Sequence, residues 1–162
     1  MLVSFKPIIN KLSKILILGT MPGIKSLEEN QYYAHKQNAF WPIIYKLFNE
    51  EISQIYDDRK KIILKNHIAL WDTLKLCLRK GSLDSKIKEE QPNDIFDLLE
   101  NYTNIHSIIF NGKTAEKFYK KYYNLQESIS YYSLPSTSPA NARKTFNEKL
   151  VDWAIINELL KY

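Results

Sequence analysis

The chain has 162 residues, which suits a single domain spanning 1–162 with one main core. One cysteine, Cys77, excludes an internal disulfide and a cysteine-built zinc site, and three dispersed histidines (His35, His67, His106) form no metal constellation. The net charge of +5 favours anionic partners without identifying them.

No metal or cofactor is therefore expected. The segment Met1 to Pro7 lacks a signal-peptide core, and no apolar run approaches the roughly 18 residues of a membrane span. These features give the expectation of a soluble, cytoplasmic chain with no membrane partner.

The first predicted strand, Lys14 to Leu18 ending at Gly19, is nearly all apolar, as suits a strand buried on both faces. It runs into Gly19-Thr20-Met21-Pro22-Gly23, a sharp turn whose backbone amides can approach a ligand closely. The turn is not a phosphate loop, because no Lys-Ser/Thr pair follows at the required spacing. Aromatics, His35, Lys36 and Asn38 then crowd into Gln31 to Pro42, directly before a helix predicted over Phe40 to Phe48. Aromatic rings offer a stacking surface for a base, and the Asn38 amide can hold a water or a base edge. His35 and Asn38 also read as capping or surface groups, and Phe40 and Trp41 as core.

The second strand is His67 to Trp71, followed by Asp72. A short helix over Asp94 to Asn101, capped by Asn93 after Pro92, precedes the third strand, Ile105 to Phe110, which ends at Asn111-Gly112. A helix over Thr114 to Tyr123 carries Ala115, Phe118, Tyr119 and Tyr122. The fourth strand, Ser128 to Tyr132, ends at Leu134-Pro135 and opens into Ser136-Thr137-Ser138-Pro139-Ala140-Asn141-Ala142-Arg143-Lys144. Hydroxyls and exposed amides in that loop can hold phosphates, and Arg143 and Lys144 add charge; a Pro-rich surface turn is the plainer alternative. The last predicted helix runs from Asn147 to Leu160. Strands alternating with helices imply a parallel sheet covered on both faces, with its ligand crevice at the carboxyl ends of the strands.

Two of these segments together resemble the uracil-DNA glycosylase superfamily. Its mismatch-specific branch has a Gly-x-Asn-Pro-Gly turn after the first strand, then Phe-Ala-His-Pro-x-Asn-x-Phe-Trp. The counterparts here are Gly19-Thr20-Met21-Pro22-Gly23 and Tyr33-Ala34-His35-Lys36-Gln37-Asn38-Ala39-Phe40-Trp41. The superfamily's second signature, His-Pro-Ser-Pro-Leu or Asn-Pro-Ser-Gly-Leu, looks like Ser136-Thr137-Ser138-Pro139-Ala140. Met21 stands where the first signature has its catalytic asparagine, and Ser136 where the second has histidine or asparagine. These departures argue against uracil chemistry of the usual type. With Leu70-Trp71-Asp72 and Gly81-Ser82-Leu83-Asp84-Ser85 they resemble the hypoxanthine-DNA glycosylase branch.

The resemblance implies an α/β fold, a three-layer α/β/α sandwich with a central four-stranded parallel sheet. It implies a monomeric, monofunctional glycosylase acting on double-stranded DNA with a deaminated base. Asn38 is then the expected catalytic residue, orienting the attacking water in place of Met21. Gly19, Thr20, Met21, Gly23, Tyr33, Asp72 and Asn111 are expected at the base, with Tyr33 stacking on it. His35, Lys36, Lys113, Ser136, Thr137, Ser138, Ala140, Asn141, Arg143 and Lys144 are expected at the DNA. Asp72 reads equally well as the cap of a helix starting at Thr73. No lysine stands out as a Schiff-base nucleophile, which favours direct hydrolysis. The alternatives are a uracil or mismatch glycosylase of broader range, and a non-catalytic module that binds lesion DNA.

Overall fold

The computed structural model describes all 162 residues. Its centre is a four-stranded parallel sheet in the order β3-β2-β6-β7: β2 is Ile15–Gly19, β3 Ile68–Asp72, β6 Ser107–Asn111 and β7 Ser130–Leu134. Every residue of β2 and β6 is buried, in keeping with the apolar runs Ile15–Leu18 and Ile108–Phe110 at their centres. Alternate side chains then serve opposite faces. Ile15, Ile17, Ile68, Leu70 and Ile109 pack with α2 (Phe40–Leu47), α3 (Tyr56–Lys65), α6 (Phe146–Trp153) and α7 (Ile155–Leu159). Leu16, Leu18, Ala69, Ile108 and Phe110 pack with α4 (Ile95–Asn101) and α5 (Lys113–Tyr122). Each such aliphatic side chain contributes about 1.5–3 kcal/mol by leaving water. The expected three-layer architecture follows directly from this two-sided burial.

A second sheet, absent from the sequence reading, is antiparallel and ordered β1-β4-β5. Its strands are β1 (Leu2–Val3), β4 (Leu74–Leu78) and β5 (Lys88–Pro92). The Lys-Glu-Glu-Gln-Pro sequence of β5 carries no strand signal of its own, and tertiary pairing overrides it. The chain enters this sheet straight from β3: the Thr73 amide donates to the Gly19 carbonyl (2.8 Å) and the Leu74 amide to the Thr20 carbonyl (3.1 Å). No helix begins at Thr73, so Asp72 caps nothing. The outer edge of β3 is closed by Ile8, which exchanges two backbone hydrogen bonds of 2.9 Å with Leu70.

Two helical expectations change in detail. Asp94, not Asn93, caps α4, accepting from the Asp97 amide, while the Asn93 side chain donates to the Asp72 and Leu74 carbonyls. The long final helix breaks at Ala154 into α6 and α7, and a Thr145–Glu148 capping box starts α6. Two helices were unforeseen: α1 (Ile24–Glu29), only six residues long, and α3, whose charged surface shows only Ile62 and Ile63 to the core.

Candidate active site at the carboxyl ends of the parallel strands

A pocket of about 380 Å³ opens where β2, β3, β6 and β7 end, a common size for a small-molecule site. Its walls come from the turn after β2, the Tyr32–Asn38 segment, Asp72, the Ser82–Asp84 loop, Asn111 and the Ser136–Asn141 loop. All seven residues expected at the base line it, as do Asn38, His35, Ser136, Thr137, Ser138, Ala140 and Asn141. Lys113, Arg143 and Lys144 lie instead in an adjoining groove with Gly112, Pro135 and Asp152, and Lys36 is exposed outside both.

Asp72 is buried, and its Oδ2 has no hydrogen-bond partner. Burial pushes its carboxyl up to about 7, and the nearby Asp84 carboxylate adds to the rise against the pull of Arg79. Burial also raises Asp84, with the Thr20 hydroxyl and Arg79 opposing. Glycine at 19 makes this packing possible, because a β-carbon there would lie 2.5 Å from Asp72 Oδ1 and 3.1 Å from the Tyr33 hydroxyl.

Tyr33 has φ 55°, a strained conformation for an aromatic residue, which costs on the order of 1–2 kcal/mol. Its ring stacks on Phe40 with centroids 4.1 Å apart, so one face is already covered. Its hydroxyl is buried with no well-formed hydrogen bond, and burial together with the Asp72 carboxylate raises its titration above the ordinary tyrosine value, with the nearby Asn111 side chain opposing. The neighbouring Tyr32 and Trp41 fix this segment: Tyr32 donates to the Lys6 carbonyl (2.7 Å), and Trp41 Nε1 donates to the Tyr32 carbonyl (2.9 Å).

Asn38 Oδ1 accepts from the Phe40 amide at 2.9 Å, which fixes the amide plane at the start of α2 and leaves Nδ2 and one oxygen lone pair for a ligand. His35 Nδ1 accepts from the Gln37 amide (3.1 Å), so the neutral ring carries its proton on Nε2. Opposite, Asn111 is bound at both ends to one residue: Nδ2 donates to Thr137 Oγ1 (3.0 Å), and Oδ1 accepts from the Thr137 amide (2.9 Å). Gly112, at φ 95°, lets Ser136 approach; a β-carbon there would lie 3.0 Å from Ser136 Cβ.

The loop after β7 departs from its expected role in three respects. Thr137 is buried, and its carbonyl accepts from the Ala39 amide, so it braces the loop from beneath. The Ser138 and Ala140 amides are consumed within the loop by Ser136 Oγ and Ser138 Oγ, both at 3.2 Å. The serine O–H groups, rather than the amides, are thus the donors left for a phosphate. Asn141 closes the loop by donating to the Ser136 carbonyl, and Lys144 is ion-paired with Asp152. Met21 is buried against Leu74 and Cys77 and forms pocket floor.

Sequence reasoning missed Asp84, Phe5 and the Ser82–Leu83 lip. The Gly81 to Ser85 segment drew notice only through the branch resemblance; nothing local shows that it folds back over the pocket.

A parallel sheet with a pocket at its carboxyl edge, built from the two loops that follow its first and last strands, defines an α/β protein with a topologically placed ligand site. The model of the uracil DNA glycosylase superfamily matches residues 7–160, and the chain belongs to that family. It is 34% identical over 153 residues to a protein of Methanosarcina barkeri (strain Fusaro / DSM 804) named hypoxanthine DNA glycosylase, covering 93% of this chain and 94% of that one. A Methanosarcina acetivorans protein of the same name is 34% identical over 148 residues, covering 90% of this chain and 91% of the relative. A solution NMR structure from Methanosarcina acetivorans, described as that of a candidate uracil DNA glycosylase, superposes with a TM-score of 0.82 at 31% identity, covering 99% of this chain and 98% of the other.

Proposed function

We propose that this protein is a monofunctional DNA glycosylase that flips a deaminated base, hypoxanthine, out of double-stranded DNA and hydrolyses its glycosidic bond. It acts as a monomer. The observation that carries the reading is the buried Asp72 carboxyl, whose Oδ2 has no protein partner, in the pocket of a chain similar to two hypoxanthine DNA glycosylases.

A flipped base enters at a cost of a few kcal/mol. It lies against the face of Tyr33 that Phe40 leaves uncovered. Ionised Asp72 accepts from the N1–H of hypoxanthine and repels the N1 lone pair of adenine; the mismatched group is worth about 1–3 kcal/mol. Asn38 orients a water toward the sugar C1′. The water oxygen bonds to C1′, the electron pair of the C1′–N9 bond leaves with the purine, and the water proton ends on the departing base. The Thr20, Met21 and Gly23 amides, which donate to no protein acceptor, and His35 Nε2–H stabilise the leaving charge. The one lysine of the pocket, Lys25, is ion-paired with Glu29 at 3.2 Å, which favours direct hydrolysis over a Schiff base. Lys113 and Arg143, cations without an ion-pair partner beside the pocket, and the serine hydroxyls hold the DNA backbone.

The test is single-turnover base release from duplexes carrying one hypoxanthine or one uracil, opposite each normal base. Hypoxanthine is released and uracil is not; Asn38→Ala lowers that release by about 10²–10⁴-fold while duplex binding stays nearly intact. Comparable uracil release would overturn the substrate assignment, and unchanged turnover of the variant would remove Asn38 from the mechanism.

A further inference from the structure

Hypoxanthine carries a hydrogen on N1, and adenine carries a lone pair there. An ionised carboxyl accepts from the first, whereas a protonated one donates to the second. The choice between the two bases therefore turns on the proton of Asp72. Arg79 and Asp84, from the segment after β4, pull that carboxyl in opposite directions. Lys25 and His35 share the pocket, and Lys25 is ion-paired with Glu29. Two tyrosines before α2 also feel the Asp72 charge. Tyr32 is committed to the Lys6 carbonyl; Tyr33 has no such commitment.

The Tyr33 hydroxyl and Asp72 Oδ1 stand over the same point of β2, 3.1 Å and 2.5 Å from where a β-carbon on Gly19 would lie. Asn111, at the end of β6, is the other polar neighbour of the hydroxyl. Its orientation is settled by Thr137. The Thr137 amide can only donate, so the atom it meets at 2.9 Å is the Asn111 oxygen. One Nδ2 hydrogen then goes to Thr137 Oγ1 at 3.0 Å, and the second is left for the Tyr33 oxygen. An oxygen that accepts from Asn111 keeps its own proton for Asp72. Burial beside that carboxylate keeps the tyrosine protonated. Neither contact of the hydroxyl is a well-formed hydrogen bond in the free protein, and such bonds commonly tighten when a ligand closes the site. The left-handed backbone of Tyr33, at φ 55°, is strain of the kind that persists at ligand clamps.

We propose that the Tyr33 hydroxyl, oriented by Asn111, is a one-way hydrogen-bond donor to Asp72 that sets the choice of hypoxanthine over adenine. The proposal rests on the glycosylase reading and deepens it. The ring face of Tyr33 meets the base, while its hydroxyl, in the ring plane, serves the carboxylate that reads the base edge. Asp72 Oδ1 takes the tyrosine O–H, and Oδ2 takes the N1–H. Tyr33 never surrenders its proton, so it is a positioning residue and not an acid. Without this donor, burial and the Asp84 charge leave the proton on Asp72 at neutral pH. The neutral carboxyl then donates to N1 of adenine.

Tyr33→Phe tests this directly. It keeps the ring stacked on Phe40 and removes a hydroxyl that has no well-formed bond, so folding is not at risk. Binding is measured to duplexes that carry a 2′-fluoro nucleotide of hypoxanthine or of adenine opposite the same base; the fluorine blocks cleavage, so the ratio of affinities needs no catalysis. At pH 7 the preference for hypoxanthine is about tenfold smaller in Tyr33→Phe than in the wild type, as loss of a hydrogen bond to a charged group implies. The two proteins converge above about pH 9, where Asp72 is ionised in both. In single-turnover release of hypoxanthine, the midpoint of the rise with pH moves up by about one unit in the variant. Added to Asp72→Asn, Tyr33→Phe changes neither reading. A midpoint that stays in place, a preference lost equally at every pH, or a further change on the Asp72→Asn background would overturn the proposal. If the wild-type protein releases no base while its binding preference shifts as described, the glycosylase reading fails and the donor assignment stands.

Discussion

The two walls of the pocket are built on opposite terms. The wall formed by β2, β3, Tyr33 and the Gly81–Asp84 loop contains polar groups with unmet capacity: Asp72 Oδ2 and the Tyr33 hydroxyl are buried without well-formed hydrogen bonds, and Asp84 lies near Asp72. The wall formed by β6 and the loop after β7 is closed upon itself, with Asn111 bound twice to Thr137 and each serine hydroxyl accepting from an amide two residues on. Unpaired buried groups cost stability, so a protein that keeps them does so where a ligand completes them. Self-satisfied loops hold their shape before any ligand arrives. The first wall is thus suited to reading a base, and the second to gripping a backbone.

The sharpest way to break the first wall is Gly19→Ala. Its methyl group meets Asp72 Oδ1 at 2.5 Å and the Tyr33 hydroxyl at 3.1 Å. Base release is expected to vanish, and overpacking should lower stability by about 1–3 kcal/mol, measured by urea denaturation.

Asp72→Asn separates the wall's cost from its use. The carboxyl titrates near 7 in the folded chain against an ordinary 3.8. A raised carboxyl contributes stability that is fully present below the unfolded value and is lost as pH rises through the folded one. Wild-type stability therefore declines between about pH 4 and pH 7, by on the order of 3–4 kcal/mol. The variant should be the more stable protein at pH 8, with the two converging toward pH 4. Activity runs the other way: hypoxanthine release by the wild type rises with pH through about 7 as Asp72 ionises, and the variant loses both the step and the preference over adenine. Denaturation at both pH values and a pH–rate profile check the pair of signs.

Asn111→Ala tests the second wall. It strands the Thr137 amide and hydroxyl, costing about 1–3 kcal/mol. Duplex affinity should weaken more than the chemical step slows, as expected if the loop grips backbone. Equal losses in both would mean that the two walls are not separable.

Much of this contrast was legible in the sequence, and unevenly so. The four parallel strands announce themselves because burial on both faces demands unbroken apolar runs such as Ile15 to Leu18. Asn38, Asp72 and Asn111 stand out because they lie at the start of a helix or the end of a strand, where a ligand crevice must lie. The second sheet does not announce itself: β5 is polar, pairs through tertiary contact, and brings Leu83 and Asp84 to the pocket from a remote stretch of chain. Thr137 shows the opposite error. In sequence it is one more hydroxyl in a polar loop, whereas Asn111 draws it inward to full burial.

The place of β2 between β3 and β6 has a consequence for how the chain is made. β2 ends at Gly19, yet its two sheet partners begin only at Ile68 and Ser107. A ribosome therefore extrudes the apolar run Ile15 to Leu18 well before its neighbouring strands can pair with it. Such delayed, sequence-distant pairing folds slowly and leaves a sticky edge exposed in the meantime. During synthesis, the strand that later anchors the pocket is a part of the nascent chain that needs shelter.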